Sequence, residues 1–513
     1  MSEEAPPQPA HSSFARPWLL LLSVFAIATC GLVYELIAGT LASYLLGDSV
    51  TQFSTIIGVY LFAMGVGSWL SRFIRGDLIA FFIRVEFLIA LIGGCSAAVL
   101  FLLFGWAASF RIPLYGIVFL IGVQVGTEIP LLLRILEGRF AFKDLVSNVF
   151  SFDYVGALLA SLLFPLVLVP HLGLVRSAFL FGLINAAVGI LALVMLKDEI
   201  QRPRGLWITG GVVTAVLLAG ILQGDAITRW GEYAAFSDPV IFAKSTPYQR
   251  IVITKNRDDL RLFLNSNLQF SSRDEYRYHE ALVHPGLSSL PDARRVLILG
   301  GGDGLAAREV LRYPRIKSIT LVDLDPAMTR LFSSQEMLRA QNNGSLTSPK
   351  LHIENADAFT WLAAKREPFD FVIIDFPDPS NFSLGKLYTT SFYQRLAQSM
   401  SPAAALVVQS TSPYVARKSF WCVDATLRSC GFQTRPYHAL VPSFGEWGYI
   451  LASKEAITTQ LALPDGLRFV NAEVVDQMFR FPPDMARVDT DINRLNNQAL
   501  VRYFDDEWAE YLH

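Results

Sequence analysis

Charge is scarce in this chain: 17% of its 513 residues are Asp, Glu, Lys or Arg, 52% are hydrophobic, and the mean hydropathy is +0.38. A soluble domain carries about a quarter of its residues as charged ones, so part of this chain is expected outside water. There is no excess of either sign. The net charge of −2 argues against nucleic acid as a partner. Cysteine is scarcer still: Cys30, Cys95, Cys422 and Cys430 show no CxxC or zinc spacing, which argues against a disulfide framework and a structural zinc, and no metal site is expected. The opening MSEEAPPQPAHSS lacks the basic start and small-residue cleavage site of a signal peptide. Residues 1–17 read as a disordered tail.

What is present divides in two. Seven apolar runs, near Trp18 to Leu46, Phe53 to Ile74, Leu78 to Trp106, Ile112 to Leu133, Val149 to Val169, Leu174 to Leu196 and Leu206 to Leu222, read as long enough to span a bilayer, whose hydrocarbon core about 20 apolar residues of helix cross. With short loops between them they predict a polytopic α-helical membrane bundle over residues 18–224. Glu35, Arg84, Glu86, Glu128 and Asp153 fall within these runs, and ionisable groups in a span are functional suspects by default. A structural reading stands beside that one. Arg84 and Glu86 fit the interfacial start of an overlong third span, and Glu35, Glu128 and Asp153 fit pairing inside the bundle. Arg16, Arg72, Arg75, Arg134, Arg139, Lys143, Lys197, Arg202 and Arg204 lie on the N-terminal side, against little beyond Arg111 and Arg176 opposite. The positive-inside rule then makes the N-terminus cytoplasmic. Seven crossings would put everything after Gly224 outside the cell, and that conflict stays open.

Residues 225–290 carry short β-rich runs, PVIFAKSTPYQRIVIT and LRLFLNSNLQF, which predict a small β subdomain. Over residues 291–513, RVLILG, SITLVDLD, KLHIEN, FDFVIID and AALVVQS alternate with helical patterns, the signature of a parallel sheet covered on both faces. The expected fold is Rossmann-like. The strand VLILG feeds GGDG, whose Gly300 and Gly302 let the backbone approach a ligand. Asp323 follows Asp303 by 20 residues, where a carboxylate can grip ribose hydroxyls. The third strand is followed by NADAF, whose Asp357 could accept a hydrogen bond from an adenine amino group. Any one of these acids could instead cap a helix, and for Asp325, before Pro326, the cap is the expected role.

A second cluster joins Asp375 and Asp378 of FVIIDFPDPSN with Tyr278 and His279 of SRDEYRYHE. With YQRIVI, LQFSSRDEYRYHEALVHP, VLILGGGDGLAAREVLRYP, VDLD, FDFVIIDFPDP and LYTTSFYQRL in that order, the stretch from Tyr248 to Ser453 resembles the spermidine synthase family of polyamine aminopropyltransferases, and the apolar N-terminal part looks like that of its membrane-bound members. The resemblance implies transfer of an aminopropyl group from decarboxylated S-adenosylmethionine, a co-substrate and not a tightly bound cofactor, to a diamine, usually putrescine, releasing methylthioadenosine. It implies that Gln249, Asp323, Asp357 and Ala358 contact the nucleoside, that His279 and Asp303 contact the polyamine, and that Asp375 accepts the proton with Asp378 nearby. It also implies homo-oligomers and, because the donor is made in the cytoplasm, a cytoplasmic catalytic domain on the inner membrane, against the charge count.

Elementary chemistry agrees with these roles. The donor keeps a cationic amine and a sulfonium but has lost its carboxylate, so Asp303 attracts it and repels intact S-adenosylmethionine. The attacking amine is protonated at neutral pH and needs a base in reach, for which Asp375 serves, while the Tyr278 hydroxyl could pass on the proton. Several positions depart from the family pattern: Asp357 and Ala358 replace a DG pair, Asp323 the commoner Glu, and Ser380, Asn381 and Phe382 follow where soluble members read xGP. The acceptor side is left to Gln409, Tyr414, Phe444, Glu446 and Trp447, with Trp447 and Phe444 candidates to line an alkyl chain and Glu446 to bind a distal ammonium. Two rivals remain: an enzyme of the same fold that uses S-adenosylmethionine itself, and a membrane polyamine transporter or sensor whose second domain only binds.

Overall fold

The computed structural model describes residues 15–46, 49–104, 110–137, 142–364, 368–455 and 461–512. Two compact units divide between Ser237 and Asp238. The first 14 residues of the expected tail lie outside the described residues, and residues 15–17 already belong to a helix.

The first unit is helical: α1 (Ala15–Leu46), α2 (Ser49–Ser71), α3 (Leu78–Phe104), α4 (Arg111–Leu136), α5 (Phe142–Leu163), α6 (Val169–Met195) and α7 (Pro203–Ala235). Among the described residues six stretches are long and apolar enough to cross a membrane, one of them the 53 residues of Lys143–Met195. That stretch is broken. Residues Phe164–Leu168 form a π-helical turn, and Gly173 has the non-helical angles φ 71°, ψ 176°, beside Pro165 and Pro170, which lack the N–H groups that would continue the ladder. Elsewhere small residues set the packing. At Gly126 of α4 a Cβ would lie 2.1 Å from the Met64 carbonyl oxygen of α2, so these backbones touch as apolar helices do where side chains are absent.

Two expectations for this unit are corrected. Helix α7 runs on to Ala235, so residues 225–235 are helical and the β-rich stretch starts at Val240. Glu86 is not at an interfacial helix start but 0% exposed inside the unit, because it faces Asn185 and Gly189 of α6.

The second unit opens with an antiparallel sheet in sequential order, β1 (Val240–Ser245), β2 (Arg250–Asn256), β3 (Asp259–Leu264) and β4 (Asn267–Ser271). Helix α8 (Glu275–Leu287) leads into β5 (Arg295–Gly300), α9 (Leu305–Leu311), β6 (Ser318–Asp323), α10 (Pro326–Ser334), β7 (Leu351–Asn355), β8 (Phe369–Asp375), β9 (Met400–Gln409), β10 (Gln433–Val441) and β11 (Gly445–Ser453). These strands form one sheet in the order β10-β11-β9-β8-β5-β6-β7. The strands from β5 to β9 are parallel, and β11 and β10 close one edge antiparallel. Continuous apolar runs made this possible: Val296, Leu297, Ile298 and Leu299 are all 0% exposed, as are Phe371 to Ile374, which is how a strand covered on both faces reads.

Candidate active site

The chain leaves β5 toward β6 and β7 on one side and returns through β8 on the other, and open α/β sheets bind ligands outside the carboxyl ends at such a reversal. Gly300 and Asp375 pair in register there. Gly300 has φ +83°, and a Cβ on it would lie 2.2 Å from the Asp375 carbonyl oxygen, so the turn admits only glycine. Gly302 is held just as closely: its N–H donates to Asp323 Oδ2 at 3.0 Å, and a Cβ would meet that oxygen at 2.6 Å.

The other oxygen of Asp323 accepts the Asp325 N–H at 2.9 Å. Asp325 caps α10 through Ala327 N–H, as expected, and its second oxygen accepts from the Thr246 hydroxyl at 2.8 Å and from the Gln249 amide at 3.0 Å. Gln249 is thereby tied to Asp325, whose N–H is held by Asp323. Asp357 caps the short helix Ala358–Trp361, whose first residue is the buried Ala358, and its free oxygen takes the Lys386 ammonium at 2.6 Å. Asp357 thus takes the capping role that any one of these acids could have, with an ion pair on its second oxygen.

Across the switch point the second cluster assembles. Tyr278 Oη donates to Asp375 Oδ1 at 2.6 Å. His279, beside it on α8, has Nδ1 2.9 Å from Glu275 Oε2, and Arg308 of α9 grips both oxygens of Glu275 at 2.9 Å each. Asp303 accepts the Leu305 N–H at 2.9 Å. Asp378 accepts from the Thr411 hydroxyl at 3.2 Å and the Gln409 amide at 3.3 Å, while Gln409 Oε1 accepts from Trp447 Nε1 at 3.2 Å. Phe444 stands 5.0 Å from Trp447 and 6.1 Å from Tyr278, ring to ring.

The charge balance of this crevice is negative. Burial pushes Asp303 up to about 6, with His279 drawing it down and Asp375 pushing it further up. Burial likewise raises Asp323 to about 6 and Asp378 to about 7, the hydrogen bonds from Gln409 and Thr411 only partly offsetting the latter. Asp375 is raised by burial against the pull of His279 and Tyr278. For His279 burial works against the charged form, but the hydrogen bond and charge of Glu275, with Asp303 and Asp375, raise it overall. Glu275, Asp303 and Asp375 all act on one imidazole, and such an excess of acids suits a cationic ligand.

A spermine/spermidine synthase domain matches residues 275–461. Over 98% of its length the chain is 56% identical to polyamine aminopropyltransferase 1 of Ralstonia nicotianae, covering 97% of that protein. The chain belongs to the spermine/spermidine synthase family. It is a polyamine aminopropyltransferase. A second relative, the polyamine aminopropyltransferase of Leptospira interrogans, is 52% identical over 96% of this chain and 99% of that one. The crystal structure of a spermidine synthase in complex with the transition state analogue AdoDATO matches 47% of this chain and 85% of that one at 25% identity and a TM-score of 0.44.

In the aminopropyltransferase one expected site residue turns elsewhere. Glu446 pairs with His438 Nδ1 at 2.9 Å, because neighbours on β11 point to opposite faces and Trp447 takes the face toward Gln409. Tyr414 is 56% exposed, an outward-facing position. Four residues escaped sequence reading: Glu275, Arg308, Thr411 and Lys386. Only Glu275 left a signal, since it precedes His279 by one helical turn.

Proposed function

We propose that the aminopropyltransferase moves the aminopropyl group of decarboxylated S-adenosylmethionine onto a diamine, putrescine first among them, giving spermidine and methylthioadenosine. The observation that carries this reading is the convergence of Asp303, Asp375 and Asp378 at the switch point, with Tyr278 donating to Asp375 at 2.6 Å. Gly302, Asp323, Gln249, Asp357 and Ala358 hold the nucleoside. Asp303 and His279 face the polyamine and the donor's amine, and Asp378 steadies a cation. Asp375 removes a proton from the acceptor amine, whose nitrogen then attacks the carbon next to sulfur. The carbon–sulfur bond breaks toward the sulfonium, which leaves as neutral thioether, and positioning supplies most of the rest.

The helical unit belongs in the inner membrane. Its exposed positions are themselves apolar, among them Leu61, Phe62, Ile112, Leu158, Ile208 and Leu222, which water would not favour. A straight helix of 53 residues would measure about 80 Å at 1.5 Å per residue, far beyond a hydrocarbon core of about 30 Å. The break at Gly173 therefore makes that stretch two crossings, seven in all, and the sheet β1–β4 is a small subdomain ahead of the catalytic one. The catalytic domain faces the cytoplasm, where its donor is made; cleavage of that domain by protease only from the outer face of sealed vesicles would refute this.

The reaction is tested by mass spectrometry of the full-length protein in detergent with decarboxylated S-adenosylmethionine and a panel of amines, beside Asp375→Asn. Methylthioadenosine with one aminopropylated amine, both lost in the variant, is the expected result. Turnover with intact S-adenosylmethionine alone would overturn the donor assignment.

A further inference from the structure

Four helices of the first unit bring one polar cluster together. Tyr34 of α1, Glu86 of α3, Glu128 of α4 and Asn185 of α6 are 1%, 0%, 1% and 1% exposed. The carboxyl groups of Glu86 and Glu128 meet at hydrogen-bonding distance, and Asn185 Nδ2 donates to Glu86 Oε2 at 3.3 Å. Beyond that bond the cluster is mostly acceptor, with the Tyr34 hydroxyl able to donate as well as accept. Among the described residues no N–H or O–H donor reaches Glu86 Oε1, either oxygen of Glu128 or Asn185 Oδ1, and the Tyr34 hydroxyl has no partner either.

The helices are shaped around this cluster. Gly189, one turn beyond Asn185, lies so near α3 that a Cβ would stand 3.2 Å from Glu86 Cβ, and at Gly93 a Cβ would meet the Tyr34 ring at 2.6 Å. Small residues thus seat both the amide and the phenol against α3. Two carboxyl groups face to face in an apolar bundle are tenable only with a proton or a cation between them, since the solvation cost of a buried unpaired charge is several kcal/mol or more.

We infer that Glu86, Glu128, Asn185 and Tyr34 form a binding site for a primary ammonium group of a polyamine, separate from the active site. An ammonium brings one positive charge and three N–H donors, which matches a cluster of orphaned acceptors around two carboxyl groups. The choice of a polyamine as the source of that ammonium rests on the proposed reaction; the acceptor cluster does not.

The test is equilibrium dialysis of radiolabelled spermidine against the full-length protein in lipid nanodiscs. Wild type binds two spermidines per chain, Asp303→Asn retains the membrane site, and Glu128→Gln and Glu86→Gln each lose it. One spermidine per chain in wild type, or two that survive both glutamine variants, overturns the inference. So does binding of radiolabelled sodium at the cluster that spermidine does not displace.

Should the variants fail to fold, wild type decides by itself through its stoichiometry and through labelling with dicyclohexylcarbodiimide, an apolar carboxyl reagent. Spermidine at ten times its dissociation constant should slow modification of Glu86 and Glu128 by about tenfold and leave Glu35 unprotected; equal protection of all three counts against the site. A wild-type protein that binds two spermidines but releases no methylthioadenosine would remove the proposed reaction and leave this site standing.

Discussion

Asp375, at the end of β8, accepts a 2.6 Å hydrogen bond from Tyr278, whereas neither oxygen of Glu128 in α4 accepts one from any N–H or O–H donor among the described residues. The contrast extends to their neighbours. Asp303, Asp323 and Asp378 each have a donor, from Leu305, from Gly302 and Asp325, and from Thr411 and Gln409. Donors fix a carboxylate in place and reduce the cost of its charge, so that little reorganisation is left for the moment of reaction. A pair without donors waits for its charge to be supplied. On the readings proposed above, one acidic cluster is organised for chemistry and the other for occupancy.

The largest expected effect breaks the organised cluster at its base. Asp375→Asn keeps the shape and the acceptor for Tyr278 but cannot take a proton, and kcat should fall by about 10²–10⁴-fold, the usual worth of a positioned base. Methylthioadenosine release measures this, with the melting temperature as a check on folding. A loss under tenfold would move the role of base elsewhere.

Next comes the nucleoside side. Gly302→Ala would place a Cβ 2.6 Å from Asp323 Oδ2, displacing the carboxylate expected to hold the ribose. KM for the donor should rise by about 10–100-fold, as for one or two lost hydrogen bonds to a charged group, with a smaller change in kcat. An unchanged donor KM would separate Asp323 from nucleoside binding.

Tyr278→Phe should act more gently and through pH. Activity needs the acids of the crevice ionised, so it is present at high pH and is lost as pH falls through their raised values, about 7 for Asp378 and about 6 for Asp303. The hydrogen bond from Tyr278 holds Asp375 below where burial alone would put it. Removing it raises Asp375 further. The acid limb should therefore move to higher pH, and kcat at neutral pH should drop about tenfold, equivalent to roughly 1.4 kcal/mol. A limb that stays put or moves to lower pH would contradict the coupling.

These acids were readable because strand ends and glycine turns are local features. VLILG before GGDG fixes a turn whose carbonyl and amide positions leave few places for a neighbouring carboxylate, and Asp323 and Asp375 close their strands at the same edge. What could not be read depends on which side of an element meets which neighbour. Arg308 lies five residues beyond Asp303 on α9, and only the packing of α9 on α8 joins it to Glu275 and so to His279. Glu86 looked interfacial because hydropathy measures the length of an apolar run and not its faces. Asn185, an uncharged amide inside LINAAV, gave no signal at all. The end of α7 was misplaced for a related reason: GDAITRWGEYAA is polar enough to read as the end of an apolar run, but helix formation tolerates polar residues that a bilayer does not.

The smallest expected effect tests the face rule within the catalytic unit itself. Glu446 and Trp447 are neighbours on β11, and the alternation of a strand sends them apart: Trp447 Nε1 donates to Gln409, which holds Asp378, while Glu446 meets His438. Glu446→Gln should leave kcat and the amine KM within about twofold, since only a pair on the far face changes, and its effect should be confined to stability. Trp447→Phe is the paired control, because it deletes the N–H that orients Gln409, and it should raise the amine KM by a few-fold, about 1 kcal/mol for one neutral hydrogen bond. If Glu446→Gln proved the more damaging of the two for amine binding, β11 would have to present its other face to the substrate, and the assignment of Gln409, Thr411 and Asp378 to the amine side would fall with it.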